Sequence, residues 1–220
     1  MQVEDSYSRW VLPALSRAVS QSRLKRYKLL ANGDPAMTLK LYHWNSALSE
    51  ALHSALLSVE VTLRNAVNDR LRIKLGENWY DNTKTGLRHQ QLEHIRSVKA
   101  HLALARKPTH SPNVVGNLSL GFWVGLFSSK YETHLWRTYL RPIFNRAPDP
   151  LLRSTVYGKL NRIRELRNRV AHHEPILHLP LANEYCSILE VTGWLCLATA
   201  LYTARQSQFQ QVLDARPQAG

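Results

Sequence analysis

From Ala36 to Leu75 the chain contains neither glycine nor proline. Apolar residues recur there at helical spacing, and Leu52, Leu56, Val59, Leu63 and Val67 share one face. Asn32-Gly33-Asp34-Pro35 precedes the run, with Asp34 placed as an N-cap and Pro35 at the first helical position, and Gly76 follows as a stop. A helix of that length dictates the class of fold. No other stretch shows strand alternation or a hairpin signal, so the expected architecture is all-α, a helical bundle with long central helices.

The same reading places a first helix over Tyr7–Leu30, kinked or restarted at Pro13, and a charged helix over Gly86–Arg106 after the polar loop Asp81-Asn82-Thr83. Pro108–Leu118 reads as a loop. Two short aromatic helices follow, Ser119–Phe127 and Tyr131–Leu140. Asp149-Pro150 starts another, which stops at Pro175. Pro180 opens the last helix, to about Gln210, and a frayed tail is expected from Arg216. No repeat, low-complexity segment or long linker divides these elements. The chain reads as one domain over residues 1–220, with a core of 36–210 and an N-terminal helix of 7–30.

Charge narrows the partners. Lys and Arg total 29 against 16 Asp and Glu, a net charge of +13. That surplus fits a polyanionic partner, either nucleic acid or an anionic membrane surface. The longest uncharged apolar run, Val191–Ala204, is too short to span a bilayer and contains Thr and Gly. Met1-Gln2-Val3-Glu4-Asp5 lacks the regions of a signal peptide. Cys186 and Cys196 fall on one expected helix, about 15 Å apart at helical rise, too far to bridge. Free thiols and no leader give a cytoplasmic expectation. Ten histidines raise the question of a metal, but His-Glu-x-x-His is absent, the cysteines lack ligand spacing, and His89, His94 and His101 share a helix without sharing a face. No metal is expected, and with no glycine-rich phosphate loop, no cofactor either.

Polar chemistry interrupts the helical pattern at Arg167-Asn168-Arg169-Val170-Ala171-His172-His173-Glu174-Pro175. Val156, Leu160, Ile163, Leu166 and Val170 form an apolar stripe, and Arg167 falls near its middle. Arg164, Asn168 and His172 lie on the adjoining flank, with Asn168 and His172 at i,i+4 spacing. On the long helix, Glu60 and Arg64 stand at the edge of the stripe with Asn65 beside them. A carboxylate among leucines needs a cation, and Arg64 or Arg167 can supply it. An ordinary helical ion pair and a histidine-rich helix end facing the dipole explain the same residues without a site.

Residues Leu166 to Pro175 resemble the Arg-x4-His signature of the HEPN superfamily, and more narrowly its Abi-like (abortive infection, AbiD/AbiF-type) branch. Glu60-Val61-Thr62-Leu63-Arg64-Asn65-Ala66-Val67 and Leu120-Gly121-Phe122-Trp123-Val124-Gly125-Leu126-Phe127, continuing to Leu135-Trp136, fit that branch too. The resemblance spans about Leu39 to Ala204. It implies an all-helical homodimer with facing motifs, metal-independent RNA cleavage, and a role in phage defence or as a toxin. Some members of the superfamily bind RNA without cutting it, so a non-catalytic scaffold holding a partner RNA or antitoxin is the alternative.

The residue types suit RNA cleavage. RNA carries its own nucleophile, the 2′-hydroxyl, and needs proton carriers and positive charge at the phosphate. Histidine transfers protons near neutral pH, and arginine forks onto two phosphate oxygens. His172 is expected as acid/base and Arg167 as phosphate clamp. Asn168 would position the phosphate or hold the His172 tautomer, and His173 is a second proton carrier or a structural residue. Two facing motifs in a dimer would together supply acid and base. An RNA-binding stripe is expected from Arg137, Arg141, Arg153, Lys159, Arg162, Arg164 and Arg169, opposed locally only by Asp149 and Glu165. Arg23, Lys25, Arg26 and Lys28 form a second basic cluster. The Gly-Phe-Trp segment with Trp136 and Tyr139 fits a base-stacking platform or, as favoured, core packing.

Overall fold

The computed structural model describes residues 2–218, with side chains described from Trp10 onward. Helices α1 (Gln2–Val19) and α2 (Gln21–Leu30) lead into the long helix α3 (Pro35–Leu75). Asp34 caps α3 as expected, its Oδ1 accepting from the N–H groups of Ala36 and Met37 at 2.7 and 3.1 Å. Gly76 ends it at a φ of 95°, a left-handed conformation that glycine adopts without penalty. The 41 residues of α3 rise about 60 Å, enough to touch most of the other elements. Leu48, Leu52, Ala55, Val59, Leu63, Val67 and Leu71 are fully buried along it. Each leucine or valine so buried contributes roughly 1.5–3 kcal/mol.

After two short 3-10 turns come α4 (His89–Leu104), α5 (Ser111–Asn117), α6 (Leu120–Gly125), a π-helical segment (Glu132–Leu140), α7 (Arg153–Ala171), α8 (Leu181–Leu195), α9 (Leu197–Gln206) and α10 (Phe209–Asp214). No strand occurs among the described residues, and the fold is all-α. Helix α3 packs against α1, α2, α6, α7, α8, α9 and α10. One cluster of buried apolar side chains extends from Leu12 to Phe209. No helix among the described residues is long and apolar enough to cross a membrane. Phe122, Trp123 and Trp136 are buried, and Trp123 donates to the Leu118 carbonyl at 3.3 Å. The aromatic segment is core.

Several boundaries differ from expectation for local reasons. The break in the first helix lies at Ser20, not Pro13. Ser20 takes a φ of 79° and caps α2 through its hydroxyl, whereas Pro13 sits exposed inside α1. The expected loop at 108–118 contains α5, with Pro112 in its first turn and Val114 and Val115 buried against the core. Helix α7 begins at Arg153, four residues after Asp149, which instead pairs with Arg141 at 2.9 Å. The last expected helix is divided at Cys196, which is extended at φ −155° and ψ 103°. Cys186 and Cys196 therefore do not share one helix, although both are free thiols. The helical chain runs to Asp214, where Trp44 donates to the Val212 carbonyl at 2.7 Å; Arg216 lies over the Trp44 ring, and residues 216–218 have no regular structure. Residues 219 and 220 of the expected tail lie outside the described residues.

Candidate RNA-cleavage site

The apolar stripe of α7 packs inward, with Val156, Leu160, Ile163, Leu166 and Val170 all buried. That burial fixes the direction of every polar neighbour on the helix. Arg167 is not in the middle of the stripe but at its α3 edge, 39% exposed, where its Nε donates to Glu60 Oε2 at 3.2 Å. Glu60 is itself only 21% exposed, and the pairing offsets its desolvation. Arg64 does not compete for Glu60. Its Nε points to its neighbour Asn65, 3.4 Å from Oδ1. The carboxylate on one helix thus orients a guanidinium on another, leaving the remaining guanidinium nitrogens available.

Beyond Arg167 the helix ends in a tight turn. His172 is the C-cap, and His173 follows at a φ of 55°. The Glu174 N–H reaches back to the Arg169 carbonyl at 2.8 Å, and the His173 N–H reaches the Val170 carbonyl at 3.1 Å. This is the Schellman arrangement, whose left-handed position usually belongs to glycine. A histidine there costs roughly 1–2 kcal/mol of backbone energy. Where a hydrophobic contact often closes such a turn, an Arg169–Glu174 ion pair at 3.0 Å closes this one.

Two side chains that the sequence reading did not place in the site hold the turn from outside. Arg23 of α2 donates to the carbonyls of both His172 and His173, each at 3.3 Å. Buried Asn45 of α3 accepts from the Ile176 N–H at 2.8 Å. Arg23 was legible only as part of a basic cluster, because its partners lie about 150 residues away.

Together α1, α2, α3 and the end of α7 enclose a cleft of about 1000 Å³, a size at the upper end for small-ligand sites. Glu60, Arg167 and His173 line it, and so do Arg23, Glu50 and His53. His53 was missed; its only sequence signal is that it precedes Glu60 by two helical turns on the same flank. Tyr27 and Tyr42 also border the cleft, their rings packed edge to face at 5.5 Å. Burial, reinforced by Tyr42, pushes the Tyr27 phenol up to about 12. His172 and Asn168 are both exposed and do not line the cleft. The contact joining them is the helical bond from the His172 N–H to the Asn168 carbonyl. No hydrogen bond joins their side chains among the described residues. Arg164 turns away from both, its stem passing close to Gly121 of α6. Its Nε is buried without a partner.

The basic stripe is less free than its sequence count. Arg153 is only 13% exposed and bridges Glu132 and the Phe127 carbonyl at 2.6 and 2.7 Å. It ties α7 to the π-helical segment, and its position is that of a structural residue. Arg137 also pairs with Glu132, Arg141 with Asp149, and Lys159 with Glu190 of α8. Glu190 and Glu132 lie outside the stretch from Arg137 to Arg169, so a count confined to that stretch omits them, whereas Asp149 falls within it. Arg162 is exposed. Among the described residues no three His, Cys, Asp or Glu side chains converge to hold a metal ion.

No curated protein and no solved structure matches the chain. The model of one family, described as Abi-like protein, matches residues 7–178, from α1 through the whole of the motif helix and its turn. By that match the chain belongs to the Abi-like protein family.

Proposed function

We propose that this protein is a metal-independent endoribonuclease of the abortive-infection type, acting in phage defence. The observation that carries the reading is the Glu60-oriented Arg167 at the wall of a cleft that His173, in the turn ending α7, also lines. Arg167 binds the scissile phosphate and stabilises the charge that develops on it. The histidines of the turn carry protons to and from the reacting oxygens. The 2′-oxygen attacks phosphorus, the bond to the 5′-oxygen breaks, and the products are a 2′,3′-cyclic phosphate and a 5′-hydroxyl. Asn168 lies one residue from Arg167 on the exposed side and serves the RNA strand as it leaves the cleft. A Schellman turn with a histidine where glycine is cheaper supports a functional use of that side chain.

The active form is a homodimer in this reading. Leu57 at the cleft and Leu197, Leu201 and Tyr202 on α9 are exposed apolar side chains. Thr203 of α9 donates to Ser58, next to Leu57, at 2.8 Å, so α9 borders the same stretch of α3. HEPN membership accounts for the motif and the helical fold together. An antitoxin or non-coding RNA would act by occupying the cleft.

The test is RNA incubated with protein in EDTA, comparing wild type, Arg167→Ala and His172→Ala. Cleavage by the wild type that is lost in both variants supports the nuclease. RNA left intact but bound tightly by all three supports a scaffold that holds RNA. Growth arrest on overexpression, relieved by His172→Ala, extends the test to an enzyme that needs its cellular trigger.

A further inference from the structure

Two bonds tie α3 to the end of α7 and to the segment that follows it. Arg167 meets Glu60 at one end, and the Ile176 N–H meets Asn45 at the other. As the chain proceeds from residue 167 to 176, the facing positions on α3 therefore descend from 60 to 45. The His172–His173 turn lies between those two contacts in sequence, and His53 lies between them on α3. His53 on α3 and His173 in the turn after α7 both line the cleft, and both are exposed. The other charged and titratable side chains there are Arg23, Glu50, Glu60 and Arg167, with Tyr27 and Tyr42 toward α2.

In-line displacement at phosphorus places the attacking and departing oxygens on opposite sides of the phosphate. Two proton carriers on separate elements of one cleft that Arg167 also lines can supply the acid and the base which that displacement needs. We propose that His53 is the second catalytic imidazole, working with the turn histidine of the same chain. The assignment rests on the ribonuclease reading given above. One imidazole takes the 2′-hydroxyl proton as the 2′-oxygen bonds to phosphorus. The other, protonated, gives its proton to the 5′-oxygen as the bond from phosphorus to that oxygen breaks.

The experiment measures kcat/KM for RNA cleavage in EDTA as a function of pH, for wild type and for His53→Ala and His53→Gln, alongside RNA affinity and thermal melting. The expected result is a loss of about 10²–10⁴-fold in rate, with one limb of a two-limbed pH profile removed. RNA affinity should stay within about threefold and melting should be unchanged, because the side chain is exposed. Wild-type rates and an intact pH profile in both variants overturn the role of His53 while leaving the ribonuclease reading standing. Absence of cleavage by the wild type overturns both. Mixing His53→Ala with Arg167→Ala chains tests the cis arrangement: the mixture stays inactive if His53 serves its own chain, and recovered activity contradicts that.

Discussion

Arg167 Nε donates to Glu60 Oε2 at 3.2 Å across 107 residues of chain. The bond joins the motif helix to the long axis of the fold and aims the guanidinium along the cleft. Hydrogen bonds to charged groups contribute roughly 1.5–3 kcal/mol. Glu60→Ala is therefore expected to lower single-turnover RNA cleavage by about 10- to 100-fold. Binding should change less, since the arginine keeps its charge. Arg167→Lys should not restore the rate, because an ammonium lacks the planar fork. Additive losses in the Glu60→Ala, Arg167→Ala double variant would show that the two side chains act separately.

The left-handed His173 separates stability from activity. His173→Gly removes the penalty of a Cβ at φ 55°, and should stabilise the fold by up to about 1 kcal/mol after the extra entropy of unfolded glycine is counted. In a chain of this size that is about 2–4 °C in melting temperature. RNA cleavage should fall in the same variant. A lower melting temperature, or undiminished cleavage, contradicts the view that strain is retained there for chemistry.

These two relationships show how much was legible in the residues. The capped α3 and the buried stripe of α7 follow from spacing alone, because helix periodicity is local. That Glu60 needed a cation was legible as well. Which cation it takes was not, since Arg64 lies at ideal spacing on its own helix and only tertiary packing excludes it. Arg23 and His53 enter the cleft through contacts between distant segments, and neither lies in a recognisable motif. The basic stripe was overread for the same reason. Arg153 and Lys159 carry charge in the sequence, but their carboxylate partners, Glu132 and Glu190, come from the π-helical segment and α8.

Paired and unpaired cations should behave differently toward RNA. Arg162→Ala, at an exposed position, should weaken binding modestly and reduce the slope of log K against log salt by about one phosphate contact. Arg153→Ala should act on folding, lowering the melting temperature, because the residue bridges Glu132 and Phe127. A change in salt slope for Arg153→Ala with no loss of stability would return that residue to the RNA surface.

The Glu132 bridge also has a pH signature. The hydrogen bond from Arg153, followed by that from Arg137, holds the Glu132 carboxyl below its ordinary value of 4.5. As pH falls, the unfolded chain takes up this proton first, so the stabilisation is complete above about the unfolded value and is lost as pH falls through the folded one. Glu132→Gln should melt at a lower temperature than wild type at pH 7, with the gap closing as acid protonates the native carboxylate. A gap independent of pH contradicts a role through ionisation.

The central claim is cleavage by the RNA's own 2′-oxygen at the Arg167 cleft, and the ends of the products test it most directly. Wild-type protein in EDTA should yield a 2′,3′-cyclic phosphate and a 5′-hydroxyl by mass spectrometry, with no product from Arg167→Ala and none at linkages carrying a 2′-deoxy substitution. Products ending in a 3′-hydroxyl and a 5′-phosphate, or cleavage that survives 2′-deoxy substitution, would contradict the account.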